Sequence, residues 1–313
     1  MFEVHINNSL PAKKKWSVLA DHFRPLIPQI SELFRNLYDS AIGHWNIPIK
    51  MLVSMNMANI MYADDLKYFA ELFGLEIHQI IALNLYYELS SGCTTLCTKI
   101  NSDNVMFRTM DWPMDFLKQI TYKASYVNKS TSYNVISWFG CVGFFTAVNN
   151  SYAIAINYRR EANSGNILSS VYRTLNMSWP SSYLIRYIFE ENMSTDKAHQ
   201  LLIQNTLISP VYFTFLPAKN NASVIQRGID TYMIRLPNAD SDLCQTNIDA
   251  DNTGPNIMLS IERKQYIEKI NKKKYKSSKE LLSVIKGRPV INDDTLYVCV
   301  MNPSLNTIDG HII

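Results

Sequence analysis

The sequence predicts an α+β fold in which antiparallel sheets pack together under a cover of helices. Three observations lead there. Residues 16–87 read as helices, short β-type runs separated by Asn, Ser and Gly turns fill 93–158, and a helical block then precedes a second group of strands. Helices grouped between runs of antiparallel strands fit two packed sheets with helices outside. A chain of 313 residues, 47% hydrophobic and 18% charged, is globular and long enough to bury a substantial core.

Met1 to Ile6 alternates like a strand and carries no basic-then-apolar leader. Leu19, Phe23, Ile30, Phe34 and Leu37 then fall close to one helical stripe. Ile47 to Ala63 is rich in methionine (51, 55, 57, 61) and reads as an adaptable helix core, with a lipid-facing surface as the alternative. Asp64-Asp65 marks a helix start and Gly74 its end. The next helix begins at Leu75, with Asn84 a candidate internal hydrogen bonder. Strands are expected at 93–100, 105–111, 120–127, 133–139, 142–148 and 152–158. Helices from about Leu168 to Asn205 lead to strands near 211–216, 223–227, 231–236 and 243–247. A polar loop (Asp249 to Asn256), helices at 258–270 and 277–286, and strands at 295–301 and 306–313 complete the chain.

Thirty basic against 27 acidic residues give +3, no argument for a nucleic-acid partner. The basic runs Lys13-Lys14-Lys15 and Lys272-Lys273-Lys274 read as solvated helix ends or loops. Cys93-x-x-x-Cys97 lacks a second Cys/His pair, so no metal or other cofactor is expected. Five cysteines in so long a chain exclude a disulfide-dense scaffold, and Cys299 reads as a buried strand residue. No run of 18 apolar residues suggests a membrane-spanning helix.

The stretch Leu89 to Cys97 and the return segment Val105 to Trp112 gather the chemistry. With Ser102 and Asp103 at the tip of a hairpin, Cys93 lies opposite Trp112, Thr94 opposite Asp111 and Cys97 opposite Arg108. Cys93, Arg108 and Trp112 then share one face, and a bulge is needed to bring Asp111 round to it. Cys97, further along that face, is expected to be packed. A cysteine nucleophile needs a base, yet all six histidines (5, 22, 44, 78, 199, 311) read as surface or capping residues. Cleavage at Gly92-Cys93 dispenses with histidine, because the freed α-amine has an unperturbed pKa of about 7.7–8.0. Arg108 would then lower the thiol pKa and orient substrate, and Asp111 would hold the ammonium form. Trp112 and Tyr158 either line an acyl pocket or fill core.

Cys93-Thr94-Thr95 followed by Arg108-Thr109-Met110-Asp111-Trp112 resembles the cysteine-type N-terminal-nucleophile amidohydrolases, the acid ceramidase and N-acylethanolamine acid amidase-like family. Thr109 and Phe107 stand where that family has Asn and Gly. The resemblance runs on through Tyr87-Glu88-Leu89, Ile156-Asn157-Tyr158-Arg159-Arg160, Gln245-Thr246-Asn247 with Asp249, and Arg263 to Thr295-Leu296-Tyr297. It implies a four-layer αββα core with a helical N-terminal segment (1–92) and a catalytic domain (93–313). It also implies autoproteolysis at Cys93 and hydrolysis of ceramide or another N-acyl lipid amide through a thioester, with Asn157 and Asn247 helping to bind the oxyanion and Arg263 in the site. The implied partners are a lipid amide, a membrane or lipid surface, and an α/β heterodimer after self-cleavage. The implied place is lysosomal or secreted, with a cytoplasmic one as the alternative. A catalytically silent lipid-binding member and choloylglycine-type hydrolysis are the alternative functions.

Overall fold

The structure, a computed structural model, describes residues 1–86, 91–128, 131–161, 165–237, 242–270 and 275–313. Tyr87 to Ser90, on the approach to the expected nucleophile, and Lys272 to Lys274 of the second basic run lie outside them. Strand β1 (Phe2–Asn7) opens the chain. The N-terminal helices are α1 (Ala12–Lys15), α2 (Ser17–His22), α3 (Ile27–Ala41), α4 (Asn46–Met55), α5 (Ala63–Phe73) and α6 (Ile77–Tyr86). Then come β2 (Gly92–Ile100), β3 (Asp103–Asp111), α7 (Leu117–Ile120), β4 (Thr121–Asn128), β5 (Thr131–Trp138), β6 (Thr146–Val148) and β7 (Tyr152–Tyr158). Helices α8 (Ile167–Leu175), α9 (Ser181–Glu190) and α10 (Thr195–Gln204) precede β8 (Val211–Pro217), β9 (Ser223–Arg227), β10 (Tyr232–Arg235) and β11 (Leu243–Gln245). The chain closes with α11 (Ser260–Ile270), α12 (Ser278–Ile285), β12 (Thr295–Asn302) and β13 (Thr307–Ile312).

Among the described residues these strands form two sheets, ordered β1-β4-β5-β6-β7-β8-β9-β10 and β11-β2-β3-β12-β13. β2 faces β7 and β3 faces β8 across the interface between them. Helices α9 and α10 cover the outer side of the larger sheet, and α11 lies on β2 and β11 of the smaller one. The result is an α+β arrangement of four layers. Alternation along β2 and β3 sorts the two sides of the smaller sheet. Cys93, Cys97, Met106 and Met110 join the core between the sheets, while Leu96, Phe107, Val298 and Val300 pack beneath Ile267, Leu281 and Ile285. No helix among the described residues is long and apolar enough to cross a membrane.

Several expectations need correction. The hairpin turns at Asn101-Ser102, with Asn101 at φ 56°, so its register shifts by two: Cys93 opposes Met110, Thr95 opposes Arg108, and Gly92 opposes Asp111. A two-residue slip preserves faces, which is why the expected partition survived the wrong pairing. The strand expected over 142–148 shrinks to Thr146–Val148. Upstream of it the Val142 N–H donates to Asn84 Oδ1 (2.8 Å) and the Phe144 N–H to the Ser182 carbonyl (3.0 Å), leaving no ladder to join. Asn84 also donates to the carbonyls of Ile80 (3.1 Å) and Gly140 (3.2 Å), so it is the internal hydrogen bonder its position suggested. Met51 and Met55 are exposed rather than core, and His78 is buried against Asn46 Oδ1 (2.7 Å) rather than on the surface.

Lys15 is the least expected. Its ammonium is buried 2.7 Å from Asp65, which also accepts from Trp16 Nε1 (2.8 Å) and pairs with Arg186 of α9 (2.7 Å). Arg186 continues to Glu190 (2.6 Å) and lies 3.9 Å over the Tyr62 ring. Burial alone would raise the Asp65 pKa, but Arg186 and Lys15 outweigh it and hold the carboxyl below its usual range. This network joins the N-terminal helices to the covering helices of the larger sheet. Asp65→Ala leaves buried Lys15 without its carboxylate and Arg186 with Glu190 alone, and is expected to cost about 3–5 kcal/mol, read by denaturant unfolding. A loss under about 1 kcal/mol, the size of an exposed pair, would refute the role given to Asp65.

Candidate active site

Cys93 is the first side chain of β2 to point into the space between the sheets, and it is fully buried. Arg108, from the next strand and on the same face, brings Nη2 to 3.4 Å from Cys93 Sγ. Met110, directly opposite, puts its sulfur 3.8 Å from the thiol. Thiol and guanidinium therefore meet because of strand alternation, although each opposes a different neighbour from the one expected.

The backbone of Cys93 is held from the other side. Strand β11 pairs with β2 only as far as Gln245 opposite Thr95. Beyond that point side chains take over the ladder. Asn247 Oδ1 accepts from the Cys93 N–H (2.7 Å), and Asn247 Nδ2 donates to the Tyr158 carbonyl (2.8 Å). Asn157, from β7 of the facing sheet, donates through Nδ2 to the carbonyls of Cys93 (3.1 Å) and Gln245 (3.0 Å). Thr95 Oγ1 fixes which way this amide points by donating to Asn157 Oδ1 (2.7 Å). Arg263, rising from α11, gives Nη1 to the Cys93 carbonyl (2.6 Å) and Thr94 Oγ1 (2.8 Å), and Nη2 to Asn247 Oδ1 (2.9 Å).

Asp111 stays on the Arg263 side of the sheet. Its carboxylate lies 3.4 Å from Arg263 Nη1 and accepts from Thr295 Oγ1 (2.8 Å) and Thr109 Oγ1 (3.3 Å). A bulge is present, but in β12 between Thr295 and Tyr297, opposite Asp111 and Met110. It aims Thr295 at the carboxylate rather than turning Asp111 round. Burial pushes the Asp111 pKa up to about 6, against the pull of Arg263, Thr295 and Thr109. Burial likewise lowers that of Arg263.

Trp112 and Tyr158 are buried at two edges of this cluster. Trp112 packs edge-on against Trp138, which stacks on Phe145, the neighbour of Tyr158 in a small apolar recess. Trp112 and Trp138 also line a narrow apolar cleft with Ile80 and Leu83 of α6, so its walls come from both parts of the chain. Cys97 is buried and its thiol is pushed upward in pKa by burial, consistent with packing. Thr94, Thr109, Met110, Met258, Ser260 and Thr295 complete the cluster without having been singled out as site residues. Thr94, Thr109, Met110 and Thr295 stand within the quoted motifs, whereas the signal of Met258 and Ser260 is contact across elements, which no local pattern carries.

No family model matches the chain. The "Uncharacterized protein R632" of Acanthamoeba polyphaga mimivirus is 31% identical over 95% of this chain and 94% of its own. Acid ceramidase of Rattus norvegicus is 21% identical over 98% of this chain and 85% of its own, and that of Homo sapiens matches at the same identity and coverage. Among solved structures, the Caenorhabditis elegans N-acylethanolamine-hydrolyzing acid amidase ortholog superposes with a TM-score of 0.60 at 23% identity. That match covers 71% of this chain and all of the other.

The position of Asp111 leads to a pH signature. Its pKa in the folded chain lies above the unfolded value of about 3.9, so the folded state binds more protons between the two. Stability from this group is therefore greatest near pH 4, falls as pH rises to about 6, and is level above. In a Cys93→Ala background, Asp111→Asn is expected to gain Tm over Asp111 across that window. A Tm difference that does not change between pH 4 and 6 would contradict the assignment.

Proposed function

This chain belongs to the acid ceramidase and N-acylethanolamine acid amidase-like family of cysteine N-terminal-nucleophile hydrolases, which are amide-bond hydrolases, and we propose that it matures by cutting its own Gly92-Cys93 bond and then cleaves N-acyl lipid amides through Cys93. One observation carries the reading. Both main-chain groups of Cys93 are gripped by side chains, the N–H by Asn247 and the carbonyl by Asn157 and Arg263, while Arg108 attends the sulfur. A residue that stays inside a strand needs only ladder partners. One whose nitrogen becomes a free amine needs an acceptor that remains after the preceding residue has gone.

In the maturation step the Cys93 sulfur attacks the Gly92 carbonyl carbon, the C–N bond to Cys93 breaks, and the thiol proton ends on nitrogen. Water opens the resulting thioester, leaving a Gly92 carboxylate and a Cys93 with free thiol and α-amine. In turnover that amine is the base for its own thiol. Asn247 Oδ1 holds it by the bond it already makes to the Cys93 nitrogen. Arg108 favours the thiolate by its charge. The Nδ2 groups of Asn157 and Asn247 are committed to main-chain carbonyls. This supports a first role for both in fixing Cys93, with oxyanion binding a further role once a substrate carbonyl competes for them. The substrate amide is attacked at carbon, its amine leaves with the proton from nitrogen, and water releases the acid.

The apolar cleft between α6 and Trp112 supports an acyl chain as the group accommodated. Exposed Ile47, Met51 and Met55, four residues apart along α4, support a lipid surface as the place where substrate is met. After the cut, segments 1–92 and 93–313 stay together as an α/β heterodimer through β1 in the larger sheet and the Asp65–Arg186 network. Likeness to the acid ceramidases supports a lysosomal or secreted place of action.

Incubation followed by a denaturing gel separates an enzyme from a silent lipid binder. Wild type is expected to yield fragments ending at 92 and starting at 93, and Cys93→Ala to stay whole. Cleaved protein should then hydrolyse at least one of ceramide, an N-acylethanolamine and a bile-salt amide, with Cys93→Ala inert. An uncut wild-type chain would sink self-activation, and a cut chain inactive on all three would sink the amide reading.

A further inference from the structure

Gly92 lies on the acyl side of the proposed cut, and its own backbone does not ask for glycine. It sits in β2 opposite Asp111, and its φ is not in the left-handed region. Glycine inside a strand forgoes side-chain packing and loses more conformational freedom than other residues, so its presence needs a separate reason. That reason is close approach. A Cβ at this position would stand 2.5 Å from Met258 Sδ, 3.3 Å from Met258 Cβ and 3.3 Å from Asp111 Cβ. The thioether could swing aside, but the two Cβ walls move only with their backbones.

Both walls are held. Asp111 is fixed by pairing with β2 and by its bond to Thr295. Met258 has φ 47° and ψ 47°, and Leu259 follows at φ 57°. Two successive left-handed residues with side chains are strained, and they persist only where the surroundings enforce them. Arg263 is the enforcing group. Its Nε donates to the Met258 carbonyl (2.8 Å) and its Nη2 to that of Ile257 (3.2 Å), while Nη1 holds the Cys93 carbonyl (2.6 Å). One guanidinium thus sets the distance between Met258 and the Gly92-Cys93 bond.

We propose that Met258 is a specificity-determining residue of self-cleavage. It gauges the size of the residue before the nucleophile and admits glycine. A branched side chain at 92 pushes on both walls and carries the carbonyl away from the thiol, so the acyl shift fails. This inference rests on the reading that Gly92-Cys93 is the bond cut.

The test is the rate of fragment formation on denaturing gels for full-length chains. Gly92→Ala, to which the thioether must yield, is expected to slow cleavage several-fold. Gly92→Val should leave the chain whole over the wild-type time course. Met258→Gly removes the wall and suits the left-handed backbone, so it should still cleave. Gly92→Val/Met258→Gly should recover to within about tenfold of Met258→Gly, a difference of about 1.4 kcal/mol in barrier. Thermal unfolding reports whether Gly92→Val folds. If it does not, Gly92→Ala against Gly92→Ala/Met258→Gly makes the same comparison. Wild type that stays whole overturns the cleavage reading itself. Wild type that cleaves, with substitutions at 92 cut at its rate or not rescued by Met258→Gly, overturns the role of Met258 alone.

Discussion

Arg263 carries a guanidinium into a place where no water reaches it, and much of the site is arranged to make that tolerable. Desolvating such a charge costs several kcal/mol, which only multiple well-placed acceptors can offset. The acceptors here are the carbonyls of Cys93, Ile257 and Met258, the hydroxyls of Thr94 and Ser260, and Asn247 Oδ1. Asp111 adds the opposite charge at 3.4 Å. Burial still wins for each partner, holding the carboxyl up in pKa and the guanidinium down. A site built on such a balance responds as a unit, because removing any member leaves another buried group uncompensated.

The two sheets are laced together where this cluster sits. Asn157 reaches from β7 to the Gln245 carbonyl, Asn247 reaches back to the Tyr158 carbonyl, and Arg159 pairs bidentately with Asp249 at 2.8 and 2.9 Å. Tyr212 of β8 adds a hydroxyl to the same carboxylate (2.5 Å). The end of β7 and the residue after it therefore hold Gln245 and the segment that follows β11, and Cys93 lies at the inner end of that series. Such lacing fixes the backbone of Cys93 from both sheets.

The N-terminal part is woven into this body rather than appended to it. β1 pairs in parallel with β4 along the full length of the strand, and Trp16, Phe34, Phe69 and Leu85 belong to the same core as the sheets. Buried Lys15 and Asp65 answer Arg186 across the join. Apolar packing and buried charge together tie the N-terminal helices into the same body as the sheets.

Local pattern determined much of this in advance. Alternation placed the strands at 93–100, 105–111 and 152–158 and sorted Cys93 and Arg108 onto one face, because side-chain period is a property of the strand itself. The ordered motif from Cys93 through Arg108 and Asp111 to Asn157, Asn247 and Arg263 identified the family. Tertiary structure alone decided the rest. The hairpin register depended on Asn101 taking a left-handed turn, which strand alternation leaves open by steps of two. Lys15 and His78 looked like surface residues because burial of a polar group depends on partners far along the chain, Asp65 for one and Asn46 for the other. Met258 gave no signal at all: its importance arises from a strained backbone that Arg263 holds against Gly92, an arrangement that exists only once three distant segments have met.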